Sequence, residues 1–226
     1  MNAKRHSLYV GVDGCKGGWV AIRFRPGCAL EGTFAERFTG LEPFTKDAAI
    51  IGVDMPIGLA REGERAADHA ARAFLGPRRS SIFMTPVRAA VYAETYEEAN
   101  GLNRTHAGKG LSKQAWNLVP KIRELDALTD PRLHEVHPEV AFACLAGEPL
   151  EERKKTWGGL QRRLALLKAR GLTLDGPLGG AAAVPIDDVV DAAVCAVAAM
   201  DIHAGHAARF SDQPPSIWGA ASEYGP

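Results

Sequence analysis

The sequence has little of what marks an exported, membrane-bound or polyanion-binding protein. Its four cysteines, Cys15, Cys28, Cys144 and Cys195, are scattered and form no CxxC pair. That argues against a zinc ribbon and fits reduced thiols behaving as small, partly buried hydrophobes. No uninterrupted apolar run is long enough to span a bilayer. The opening stretch MNAKRHSLYVGVD runs straight into a strand-like segment, with neither the apolar core nor the cleavage site of a signal peptide. The expectation is a soluble, cytoplasmic protein without membrane association. Neither sign of charge is in excess, with 27 basic residues against 27 acidic ones. No global field therefore draws the chain to a polyanion, and any nucleic-acid contact must come from local patches. Repeats and low-complexity segments are absent as well.

What is present is enough apolar material, 46% of 226 residues, for one domain with a substantial core. Residues 7–12 form a short apolar run ending at Asp13, and the glycines at 17 and 18 lead into a second run, 19–24, which predicts a hairpin. A third strand is expected between 29 and 38, a short helix after it, and a fourth strand over 48–53 that also ends in an aspartate, Asp54. Helices are expected over 62–74, 95–100, 113–128 and 155–169, with a short strand at 133–136 and Pro138 opening a further helix. An irregular segment, 77–92, reads as a structured loop covering a site. A last helix is expected from 185 or 186 to about 208. This order describes a mixed sheet covered by helices. A single domain over residues 1–210 with a helical and loop insertion at about 60–130 is expected, followed by a loosely ordered tail at 211–226.

Two apolar strands that end in aspartate call for a reason, because aspartate is disfavoured in strands. The ordinary explanation is a turn, for which Asp13-Gly14 is a good pair. The terminal helix shifts the balance. Asp188 and Asp191 stand one turn apart on one face beside Asp187, and the helix dipole accounts for Asp187 and Asp188 better than for Asp191. The small-residue run behind Asp191 suits close packing on a sheet, which would carry these acids to the strand ends. Carboxylates gathered from separate segments suit hard divalent cations, Mg²⁺ or Mn²⁺. Two such ions about 4 Å apart serve phosphodiester cleavage. Asp13, Asp54, Asp188 and Asp191 are the expected metal ligands. Glu135 and His137, two apart on a strand, share a face and are further catalytic candidates. Arg79, Ser80, Ser81 and Arg88 of the irregular segment, with Lys121 and Lys154, are candidate phosphate contacts.

Seven stretches carry a resemblance: residues 10–19 (VGVDGCKGGW), 53–59 (VDMPIGL), 79–83 (RSSIF), 121–126 (KIRELD), 135–139 (EVHPE), 154–158 (KKTWG) and 187–192 (DDVVDA). In this order they resemble the domain-of-unknown-function 429 family, over about residues 8–208. The resemblance implies an RNase H-like α/β fold, with antiparallel hairpin strands plus parallel strands flanked by helices, and a predicted nuclease. It places the metal acids at the first strand, the end of the fourth and a late helix, matching Asp13, Asp54 and Asp188 or Asp191. The expected function is hydrolysis of a nucleic-acid or nucleotide phosphodiester by a two-metal carboxylate mechanism. Few aromatics interleave with the basic residues, which favours a short or small phosphorylated substrate over a long duplex. Two alternatives stand beside it. One is an ATP-dependent phosphotransferase of actin or sugar-kinase type, suggested by the Asp13-Gly-Cys-Lys-Gly-Gly hairpin. The other is a non-catalytic binding module on the same fold.

Overall fold

The computed structural model describes residues 7–221. They divide into two compact units, each described by itself. The first comprises the chain up to Met55, Asp130–Arg209 and the stretch from Trp218 on; the second comprises Pro56–Thr129 and Phe210–Ile217.

The first unit is built on strands β1 (Leu8–Cys15), β2 (Gly18–Phe24), β3 (Glu31–Ala35) and β4 (Ala48–Asp54), with a single helical turn α1 (Glu42–Thr45) before β4. The second unit contributes α2 (Ala66–Leu75), α3 (Arg88–Val91), α4 (Tyr96–Ala107) and α5 (Lys113–Asp126). The first then resumes with β5 (Leu133–Glu135), α6 (Pro138–Ala146), α7 (Trp157–Ala169) and α8 (Ile186–Ala204). The five strands form one sheet in the order β3-β2-β1-β4-β5. The β1-β2 and β2-β3 pairs are antiparallel, whereas β1-β4 and β4-β5 are parallel. This mixed α/β sheet is consistent with the RNase H-like arrangement that the resemblance implies.

β1 is central, so its side chains are buried on both faces. Hence it reads as a continuous apolar run rather than an alternating one, and Val10 and Val12 are fully buried. The strand does not stop at Asp13. It continues to Cys15, and the hairpin turns at Lys16 and Gly17, where Gly17 takes φ +82°. The turn explanation for Asp13 therefore falls away, because the residue lies within a strand.

Helix α8 is buried almost all round from Val189 to Ala199, and its seat is made by two glycines. A Cβ on Gly11 would meet Ala192 O at 1.9 Å and Ala196 N at 2.2 Å; one on Gly52 would meet Cys195 O at 2.5 Å. Only hydrogen at those two positions lets helix backbone lie directly against β1 and β4. The helix ends at Ala204, earlier than the expected 208, because Gly205 adopts the left-handed C-terminal cap. The described chain beyond makes specific contacts. Trp218 bridges Val136, Ala220 is fully buried, and the Ala221 amide donates to Asp201 Oδ2 at 2.7 Å. The buried Asp201 carboxylate anchors this stretch; the rest of the expected tail, 222–226, lies outside the described residues.

In the second unit, α2 starts at Ala66 rather than 62, since Arg65 and Asp68 form a buried pair across its first turn. Helix α4 runs past 100 to Ala107, with Thr95 capping the Glu98 amide and Gly108 ending it. The segment 77–92 is more regular than expected: a 3-10 turn covers Gly76–Ser81, and α3 follows. Val87, Ala90, Ala99, Leu111 and Ala115 pack into the unit's own small core.

Candidate metal centre

Parallel pairing of β1 with β4 sets Asp13 directly beside Asp54 in register, about 4.8 Å apart along the sheet. Helix α8, seated on Gly11 and Gly52, delivers Asp191 from its second turn. One carboxylate oxygen from each of Asp13, Asp54 and Asp191 lies within 4.8 Å of the others. Asp188 stays outside this set, although its charge reaches Asp13. The burial of α8 begins at Val189, so Asp188 sits on the half-exposed approach while Asp191, only 2% exposed, is inside.

Burial and crowding change the acids. Desolvation, followed by the charges of Asp54, Asp191 and Asp188, holds Asp13 well above the usual carboxylate range. Desolvation and then Asp191 push Asp54 up to about 8, against the lowering effects of Lys154 and of a hydrogen bond from Asp13. Asp191 is raised by burial to about 6 and restrained there by Lys154. Without a bound cation, Asp13 and Asp54 thus resist ionising together.

The surrounding groups are arranged around this deficit. Lys154 Nζ donates to Asp191 Oδ2 and lies 3.7 Å from Asp187 Oδ2. Lys155 reaches the same Asp187 oxygen at 3.5 Å. Burial alone would lower the Lys154 pKa, but Asp191, Asp13 and Asp54 outweigh it and raise it. Glu135 is buried on β5, opposite Val53 of β4, and its charge contributes to the rise of Asp54. His137 follows in extended conformation just before α6. Behind it, Glu139 is held by both oxygens on Arg163, at 2.7 and 2.9 Å. Cys195, one turn beyond Asp191, keeps its thiol protonated through burial and the neighbouring acids.

Of the sequence-predicted residues, Asp13, Asp54 and Asp191 converge, and Glu135 stands next to them. Lys154, expected on a substrate phosphate, donates to Asp191. Arg79, Ser80, Ser81, Arg88 and Lys121 belong to the second unit. There Arg79 and Ser80 are exposed, and Ser81 Oγ donates to Arg78 O at 2.8 Å. Arg88 is committed to Asp126 through two 2.7 Å hydrogen bonds, with the Tyr92 hydroxyl on the same carboxylate at 2.6 Å.

Compared with known families, residues 11–216 match the one described as "Protein of unknown function (DUF429)". The chain belongs to the DUF429 family. No curated protein and no solved structure matches it. The matched span of this DUF429 member includes all three converging acids and Lys154. A cation fits the site on one further observation. Asp191 Oδ1 is buried and has no hydrogen-bond partner among the described residues, a costly state for a carboxylate oxygen. Donors that are all carboxylate oxygen suit a metal ion. Among the described residues no helix is long and apolar enough to cross a membrane.

Proposed function

We propose that this DUF429 chain is a metal-dependent phosphodiesterase acting on a nucleic acid or nucleotide, with Asp13, Asp54 and Asp191 holding Mg²⁺ or Mn²⁺. The single observation behind this reading is the carboxylate triad with an unsatisfied, buried Asp191 oxygen, standing where the parallel pairing of β1 with β4 ends. Carboxyl ends of strands are where α/β sheets place their ligands. Oxygen-only donors without imidazole or thiolate favour Mg²⁺ or Mn²⁺ over zinc. When bound, such an ion supplies Lewis-acid charge at the scissile phosphate.

The chain's own groups do the rest. Asp13 and Asp54 ionise together on loading, so the site is fully anionic only when a cation is present. Glu135, buried beside β4, and His137 are the candidates to accept and return protons. In the second unit Arg79 and Ser80 are exposed, whereas Arg88 already serves Asp126. The balanced overall charge favours a short or small phosphorylated substrate over a long duplex.

The test is hydrolysis of single-stranded DNA, RNA, dinucleotides and an activated phosphodiester with Mn²⁺, by wild type and Asp13→Asn. The expected result is Mn²⁺-dependent cleavage of at least one substrate by wild type and none by the variant. Cleavage that survives Asp13→Asn, or a Mn²⁺-loaded wild type that cleaves nothing, overturns the reading.

A further inference from the structure

We infer that Lys154 is the site's second cation, so that the chain binds a single divalent ion where the sequence pattern alone suggests two. The inference rests on the metal reading above and specifies its stoichiometry.

Two ions held side by side need a carboxylate to serve both, and further acids to complete the second shell of ligands. On the α8 side the structure offers neither. Asp191 presents one oxygen, Oδ1, with no partner, while its other oxygen, Oδ2, accepts from the Lys154 ammonium. Two acids of the surroundings are already matched: Asp187 lies within 4.0 Å of both Lys154 and Lys155, and Glu139 is held by Arg163. Asp188 and Glu135 stand outside the group whose oxygens approach within 4.8 Å. The charge agrees with the geometry. Three carboxylates against one ammonium leave two negative charges, which one divalent ion neutralises.

Lys154 is well built for this place. It lies in the loop just before α7, whose start is fixed by Thr156 capping the Gly159 amide at 3.1 Å. A Cβ on Gly159 would meet Arg153 O at 2.0 Å, so the loop leading to Lys154 is pressed onto the helix start. The ammonium is therefore delivered by a braced segment. An ammonium is a compact point charge, nearer in size to a metal ion than a guanidinium is.

The experiment is equilibrium dialysis of the full chain against millimolar Mn²⁺, with the bound ions counted and their electron paramagnetic resonance recorded. Wild type is expected to hold one ion with the spectrum of isolated Mn²⁺. Lys154→Met, of similar length but uncharged, is expected to hold two with a spin-coupled spectrum, and Lys154→Arg one. Two ions in wild type overturn the inference and leave the phosphodiesterase reading intact. One ion in a folded Lys154→Met also overturns it, because a merely structural lysine would change stability without changing the count. No ion in wild type overturns both.

Discussion

Asp68 and Asp13 are buried to similar extents, 1% and 5% exposed, in different units of the chain. Their surroundings are opposite. Asp68 accepts from Arg65 Nε at 3.0 Å and from the Thr85 amide at 2.8 Å, so its charge is matched within the fold. Asp13 faces Asp54 and Asp191, and the cation that offsets the group, Lys154, bonds only to the last of them. Within the first unit the same contrast recurs, since Glu139 has Arg163 and Asp201 has Arg170. Matched buried charges are architecture. Three crowded like charges offset by a single lysine destabilise the chain that carries them, and they make sense when something outside the chain completes them.

The largest effect that sharpens this contrast is expected at the matched site. Asp68→Asn leaves Arg65, 3% exposed, without its counter-charge and should cost about 3–5 kcal/mol in urea denaturation. A loss under about 1 kcal/mol would mean that buried pairs here do not carry the structure, and the contrast would lose its meaning.

Next in size is the seat of α8. Gly11→Ala drives a methyl into Ala192 O and Ala196 N and should cost about 3 kcal/mol or more. It should also weaken Mn²⁺ binding, because Asp191 moves with the helix. Full affinity in a folded Gly11→Ala would show that the glycine does not set the site.

Of opposite sign to most acids is the effect of pH. Asp54 is raised from 3.8 to about 8 and Asp191 to about 6, so between about pH 4 and 8 the folded state binds more protons than the unfolded one. Stability of the metal-free protein should therefore be greatest below pH 4 as far as these groups are concerned and fall as pH rises towards 8. Metal affinity should rise over the same range, with proton release. Thermal melts at several pH values with a chelator check the first part. A metal-free melting temperature that climbs from pH 5 to 8 would contradict it.

How much of this was legible in the sequence differs from residue to residue. Asp13 and Asp54 stood out because apolar strands seldom carry aspartate, and their pairing follows from the parallel register. Asp191 stood out because it lies beyond the reach of the helix dipole, on a helix of small residues. Asp188 could not be separated from it, since i and i+3 share a face; only where burial of α8 begins decides between them. Lys154 read as part of a basic stretch, as no periodicity links a loop residue to a helix position 37 residues away. Arg88 read as a phosphate contact for the same reason, its partner Asp126 being 38 residues on. The hairpin and the two acid-ended strands were legible, whereas the place of β5 beside β4, the 3-10 turn and α3 were not.

The most direct test of the central claim, that the unmatched acids are completed by a metal ion, is the melting temperature of wild type and Asp13→Asn with a chelator and with saturating Mn²⁺. Asp13→Asn should melt no lower than wild type in chelator, because it relieves like-charge crowding. Mn²⁺ should raise the wild-type transition, by about 2.7 kcal/mol at a hundredfold excess over the dissociation constant, and leave Asp13→Asn unmoved. Equal Mn²⁺ shifts in both proteins, or a variant that unfolds at lower temperature and is not stabilised, would show that Asp13 is part of the architecture and that the triad is not a metal centre.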